Sequence, residues 1–305
     1  MYDLVSIGNP VYDIIITPYI RTNGRVLSGC STNSALAFGK LGGSVAIVGK
    51  IGTDYLDDFI KVTHMYGIKA YALPAKETGG FYLRYLDRHM SDRELVVLGI
   101  ADKINLNEIP DEALEAKAII LGPILKEIDA NFVRELRSKL DDVFILVDPQ
   151  GLIREIKGGK VVRVANKDVY DIIAITNITK PNEHEAEVLF PGASPEKVAK
   201  KIYQINRFAG IVTVAERGSY IAFQNGVYHI PAYRTIERDP TGCGDVYAGA
   251  FIYYYIRHEH PLESAAFASA IASFMVEDTG PHFKIDKKQI ELRFEKILEG
   301  VKRVD

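Results

Sequence analysis

The chain has 305 residues, 47% of them hydrophobic and 25% charged, with a formal net charge of −3. That length and mixture suit one large globular core, and exclude a disordered or fibrous chain. The slight acidity excludes a basic footprint for a nucleic-acid backbone, and no apolar run approaches the length of a membrane span.

The first eight residues begin with a strand-like run that carries Asp3 and lacks the basic, apolar and small-residue regions of an export signal. Two cysteines, Cys30 and Cys243, are too few for a disulfide framework, and no Cys/His spacing matches a zinc site. A reducing cytoplasm is therefore the expected location.

In chain order, the short apolar runs Asp3 to Gly8, Val45 to Gly52, Ala118 to Gly122, Phe144 to Pro149, Ile172 to Asn177 and Ile211 to Ala215 read as buried strands. Segments of helical period fall between them at Asn33 to Leu41, Ala130 to Leu140, Pro195 to Phe208, Asp245 to Arg257 and Leu262 to Glu277. Alternation of this kind predicts an α/β fold, a mostly parallel sheet with helices on both faces. Val11 to Thr17 and Ile68 to Leu98 break the pattern with mixed polar and apolar strands and no helix between them. They predict a small antiparallel sheet serving as a lid, although ordinary edge hairpins fit the same periodicity. The expected division is a core of 1–10, 18–67 and 99–305, with a discontinuous lid of 11–17 and 68–98. Asn225-Gly226 predicts a hairpin turn between Ser219 to Phe223 and Val227 to Pro231.

Three clusters carry chemistry. Asp239-Pro240-Thr241-Gly242-Cys243-Gly244-Asp245 runs directly into a helical pattern. The first amides of a helix lack intrahelical partners and sit at the positive end of its dipole, so Gly242, Cys243 and Gly244 form a candidate anion hole. Asp245 beside it could take the proton of an attacking hydroxyl. The plainer reading is a glycine loop before a helix.

Lys180-Pro181-Asn182-Glu183-His184-Glu185 places Asn182 and Glu185 three apart, an oxygen pair able to hold magnesium through water. A capping box uses the same spacing. Near the N-terminus, Asp13, Gly29 and Asn33 suit paired hydrogen bonds to neighbouring hydroxyls, and equally suit turns and caps.

The order of Gly8, Asp13, Gly29, Asn33, Val48-Gly49-Lys50-Ile51-Gly52, Asn182-x-x-Glu185, Arg217-Gly218 and Gly242-Cys243-Gly244-Asp245 resembles the ribokinase-like, phosphofructokinase B-type sugar kinases along nearly the whole chain. The resemblance implies the ribokinase-like fold with its β lid, and an ATP-dependent transfer to a hydroxyl of a small sugar or polyol. Asp245 would be the base, and Gly242, Cys243 and Gly244 the anion hole. Asp13, Gly29 and Asn33 would contact the acceptor, while Asn182 and Glu185 would organise magnesium and phosphate.

By the same resemblance the nucleotide would lie against Glu216, Arg217 and Gly218 and the helix carrying Ser269 and Ala272, and a potassium ion is expected near Asp239. Two departures stand out: Ser28-Gly29 replaces the usual Gly-Gly, and Cys243 occupies a common alanine position. Inositol, a nucleoside, or a role as a non-catalytic sugar-binding regulator are the alternatives. Neither a Walker loop nor a dinucleotide fingerprint is present. No nucleic-acid or membrane partner is expected, and a homodimer would use the exposed lid sheet.

Overall fold

The computed structural model describes residues 1–90 and 92–305. Its strands are β1 (Tyr2–Ile7), β2 (Val11–Ile16), β3 (Val26–Ser28), β4 (Val45–Ile51), β5 (Ile68–Pro74), β6 (Gly80–Tyr85), β7 (Arg93–Gly99), β8 (Ala116–Leu121), β9 (Phe144–Val147), β10 (Arg154–Lys157), β11 (Lys160–Arg163), β12 (Ile178–Thr179), β13 (Ala209–Thr213), β14 (Ser219–Phe223), β15 (Gly226–Ile230) and β16 (Lys302–Arg303). Its α-helices are α1 (Cys30–Lys40), α2 (Leu56–Met65), α3 (Ala130–Lys139), α4 (Asp168–Ile175), α5 (Glu183–Leu189), α6 (Pro195–Asn206), α7 (Cys243–His258), α8 (Pro261–Met275) and α9 (Lys287–Glu299).

Ten strands form one sheet in the order β16-β15-β14-β13-β12-β9-β8-β1-β4-β5. The run from β5 to β13 is parallel, and β14 to β16 close its far side antiparallel. Successive side chains leave this sheet on opposite faces, so each apolar strand supplies two cores. Leu4, Ile47 and Ile120 pack with Leu36, Phe38 and Phe251 of α1 and α7. Val5, Val48 and Ile119 pack with Val133, Ile173 and Ile202 of α3, α4 and α6.

From β1 the chain winds outward through β4 and β5, then returns and proceeds the other way through β8, so the order reverses between β1 and β8. At such a reversal the connections leave in opposite directions and open a crevice at the carboxyl ends of the strands. Gly8 and Gly122 stand at those ends. A Cβ on Gly8 would lie 2.3 Å from the Gly122 carbonyl oxygen, which is why the floor of the crevice needs a bare backbone there.

The second sheet has the order β10-β11-β7-β6-β2-β3. The sequence pattern identifies β2, β6 and β7 as its strands but misassigns β5. Ile68–Pro74 pairs in parallel with β4 along its whole length and forms an edge of the large sheet. Its mixed polarity reflects that half-covered edge rather than a projecting sheet. Conversely, the small sheet takes in β3, β10 and β11 from segments expected in the core.

The expected strand Ile172 to Asn177 is another correction. Val169, Ile172 and Ile173 are buried at helical spacing within α4, and the strand proper is the two residues Ile178–Thr179. A short apolar run serves either geometry, and here the helix takes it. Among the described residues no helix is long and apolar enough to cross a membrane.

Candidate active site

A cavity of about 1370 Å³ opens at the carboxyl ends of the parallel strands, with the small sheet as one wall. Asp13, Gly29, Asp245, Gly242, Cys243, Gly244, Asn182, Glu185, Glu216, Arg217, Gly218, Ser269 and Ala272 all line it. Residues read as three separate clusters in the sequence therefore share one space. Asn33 and Asp239 do not line it.

Helix α7 begins at Gly242, whose φ of 81° is left-handed and suits glycine. A Cβ there would also fall 2.5 Å from Asn33 Nδ2. The Cys243 amide donates to the Pro240 carbonyl at 3.2 Å, closing a turn. Among the described residues the Gly242 and Gly244 amides donate to no backbone carbonyl, so they are the bare donors at this helix start, and Cys243 is the member of the expected anion hole that is already engaged. Burial pushes the Cys243 thiol well up, as do the nearby Asp239, Glu237 and Asp245 carboxylates, which keeps it protonated and unsuited to attack.

Asp245 sits in the first turn of α7. Burial raises its pKa above the ordinary carboxylate range and the negative charge of Asp148 raises it further, against the opposing pull of Lys180, Asn33 and Cys30. Asn33, expected to contact the acceptor, donates Nδ2 to Asp245 Oδ2 at 3.1 Å. It is 2% exposed.

Lys180 and Asp148 were not singled out by sequence reasoning. They follow β12 and β9, at the carboxyl ends of neighbouring parallel strands, and that position was the available signal. Lys180 Nζ and Asp148 Oδ2 form a buried ion pair at 2.7 Å. The ammonium stands beside the glycine loop, since a Cβ on Gly244 would lie 3.5 Å from it. Despite its burial the lysine is held firmly protonated by Asp148, with Asp245 adding to the effect.

Asn182 and Glu185 form the capping box of α5: Asn182 Oδ1 accepts the Glu185 amide at 3.0 Å, and Glu185 Oε2 accepts the Asn182 amide at 2.9 Å. Asn182 thus has its oxygen committed to the helix. Glu185 Oε1 takes part in no hydrogen bond among the described residues, and this buried carboxylate lines the cavity. One hard oxygen facing a wet cleft fits a magnesium ion that keeps most of its water. Burial raises the Glu185 pKa, as does Asp148.

Asp13 lies at the small-sheet end, with Oδ1 accepting the Phe81 amide at 2.8 Å. Burial pushes its pKa up to about 6, against the Phe81 amide, the Ser28 hydroxyl and the charges of Arg154 and Arg93. Asp239 is fully buried. Its oxygens accept the Thr241 amide at 2.9 Å and the Thr279 hydroxyl at 2.6 Å, bracing the loop that leads into α7. Elsewhere in the cavity lining, Ser269 Oγ donates to the Pro231 carbonyl at 2.9 Å, Arg217 pairs with Glu183, and Gly218 turns the chain at a φ of 95°.

A doubly wound sheet with a crevice at its reversal, a bare glycine loop starting a helix and a carboxylate in that helix's first turn defines an α/β enzyme of the ribokinase fold. The chain belongs to the pfkB family of carbohydrate kinases, whose model matches residues 1–288. It is a phosphotransferase with an alcohol group as acceptor.

It is similar to the cytidine kinase of Thermococcus kodakarensis, at 29% identity over 86% of this chain and 91% of that one. It is also similar to the ribokinase of Staphylococcus aureus, at 25% identity over 84% of each. Among solved structures, the sulfate complex of a pyrophosphate-dependent kinase in the ribokinase family superimposes with a TM-score of 0.82 at 20% identity, covering 94% of this chain and 99% of that one.

Proposed function

We propose that this protein transfers the γ-phosphoryl group of ATP to a hydroxyl of a small sugar or sugar-like polyol, with Asp245 as general base. The observation that carries the reading is the meeting of the Asp245 carboxylate with the bare Gly242 and Gly244 amides at one helix start, inside a cavity able to admit two molecules. An acceptor hydroxyl beside Asp245 gives its proton to the carboxylate as its oxygen forms the new bond to phosphorus. The bond from phosphorus to the ADP oxygen breaks, and the two amides take up the charge on the transferring group. A raised pKa makes Asp245 a stronger proton acceptor than an ordinary aspartate.

Lys180 adds a fixed positive charge beside the loop, and Asp148 holds it there. Magnesium would be held through water by Glu185, whose carboxylate Asn182 orients, and would neutralise phosphate charge. Asp13 and Gly29 receive the acceptor, and the small sheet serves as the lid that excludes water. Glu216, Arg217, Gly218, Ser269 and Ala272 receive the nucleotide. Potassium at Asp239 would share oxygens already committed to Thr241 and Thr279, and comparing rates in potassium and sodium salts decides whether it binds.

The outer face of the small sheet carries Ile14, Ile16, Tyr82 and Val96, half-buried in the single chain, and would be the dimer contact. Light scattering of the native chain and of Tyr82→Glu reads that.

Product formation with ATP, ADP or pyrophosphate as donor, and pentoses, hexoses, inositol or nucleosides as acceptors, tests the reaction. Asp245→Asn should lower kcat by several powers of ten with acceptor affinity nearly kept. A near-normal rate in that variant removes Asp245 from the role.

A further inference from the structure

Three arginines converge on the cavity from the small sheet, and none was accounted for above. Arg154 opens β10 and Arg163 ends β11, where the ladder sets them directly opposite one another, and Arg93 opens β7 on the neighbouring strand. Like charges directly opposite across a ladder destabilise it. Among the described residues none of the three forms an ion pair.

Arg154 is 6% exposed, and among the described residues its one side-chain hydrogen bond is a long one, from Nη1 to the Ile124 carbonyl at 3.4 Å. Arg93 reaches the Tyr85 hydroxyl at 3.4 Å. Of the acids around them, Asp13 accepts the Phe81 amide and Asp148 pairs with Lys180, while Glu185, whose charge acts on all three arginines, keeps one oxygen out of any hydrogen bond among the described residues. A buried guanidinium with so few partners, beside two more of like charge, is a site waiting for an anion, because planar donors of this kind bind phosphate and carboxylate oxygens in pairs.

Position decides which anion. Arg93 lies on the face of the small sheet that carries Asp13, Phe81, Leu83 and Leu95 against the cavity, and Arg154 and Arg163 extend that wall. Arg154 and Arg93 act on the charge of Asp13, the residue proposed to receive the acceptor, and the transferring phosphoryl group already has the glycine amides and Lys180. Resting on the kinase reading above, we propose that the acceptor is an anionic sugar whose phosphate or carboxylate group is bound by Arg154, Arg163 and Arg93 while a distant hydroxyl faces Asp245. A neutral sugar would bring no charge of its own opposite the three guanidinium groups.

The test has two arms on the full-length protein. Calorimetry without any donor compares ribose, cytidine and myo-inositol with ribose 5-phosphate, fructose 6-phosphate and gluconate, the last three separating phosphate from carboxylate. Steady-state rates with ATP then give kcat/KM for the same six. The phosphorylated or the carboxylated sugars should bind and turn over at least about tenfold better than the neutral ones, the scale of a charge-assisted hydrogen bond.

Arg163→Gln should lower that preference about tenfold through KM, and Arg163→Lys should restore part of it. Binding of neutral and anionic sugars with equal affinity, or a preference untouched by Arg163→Gln, overturns the proposal and leaves the kinase reading intact. Anionic binding that depends on Arg163, with no phosphorylated product from any donor, upholds the anion site and removes the kinase reading.

Discussion

Asn33 and Asp245, 212 positions apart in the chain, are joined by one hydrogen bond of 3.1 Å between Nδ2 and Oδ2. The contact exists because α1 and α7 cross at close range: Ser34 Oγ donates to the Asp245 carbonyl at 2.9 Å, and a Cβ on Gly249 would meet the Ser34 carbonyl oxygen at 2.2 Å. Asn33 fixes one oxygen of the carboxylate.

Replacing Asn33 by Leu should therefore leave Asp245 unoriented and remove a donor that favours its charged form. The rate should fall about 10- to 100-fold, the range of a lost positioning group. The acid limb of the pH–rate profile should move to higher pH, because losing a hydrogen bond to the ionised form raises the pKa further. An unshifted limb in a slow variant would mean that the loss is structural.

Gly249→Ala forces a Cβ into the Ser34 carbonyl and must push the two helices apart. Overpacking of this kind costs about 1–3 kcal/mol, read as a lower Tm. Because the same spacing sets the Asn33–Asp245 bond, the rate at a temperature where the variant is folded should fall as well.

Lys180→Met leaves Asp148 buried without its partner, and removing one member of a buried pair costs about 3–5 kcal/mol. Denaturant melts should show that loss, and combining the change with Asp148→Asn should recover much of it. Turnover should stay low in the double variant, since the positive charge beside Gly244 is still missing.

Asp13 gives a pH signature. Its carboxyl has a pKa of about 6 in the fold against 3.8 in an unstructured chain. Below pH 3.8 it is protonated in both states and costs nothing. As pH rises through 6, the folded state is the poorer host for the charge, so stability is lost. A gap of about two pH units at about 1.4 kcal/mol each sets an upper bound of about 3 kcal/mol. Asp13→Asn should accordingly gain Tm over the parent at pH 7 and little at pH 4, while acceptor affinity drops.

Much of this was legible in the residues themselves. Continuous apolar runs separated by helical periods give parallel strands buried on both faces, because each alternate side chain needs a core of its own. Gly242 to Asp245 announces a helix start with bare amides, since glycine and a first-turn carboxylate each have few other reasons to stand there in that order. The capping spacing of Asn182 and Glu185 was equally plain, and the fold uses it as a cap.

What the sequence left open turned on neighbours distant in the chain. Ile68–Pro74 has the polarity of an edge strand, and which sheet it edges depends on β4 lying beside it. Asn33 has the chemistry of a sugar ligand, and the α1–α7 crossing is what gives its Nδ2 to Asp245. Asp148, Lys180 and the three arginines acquire meaning when strand ends and hairpins gather them around one cavity. Local pattern determines which elements form because backbone and solvent act at short range, whereas the partner of a polar side chain is settled by long-range packing.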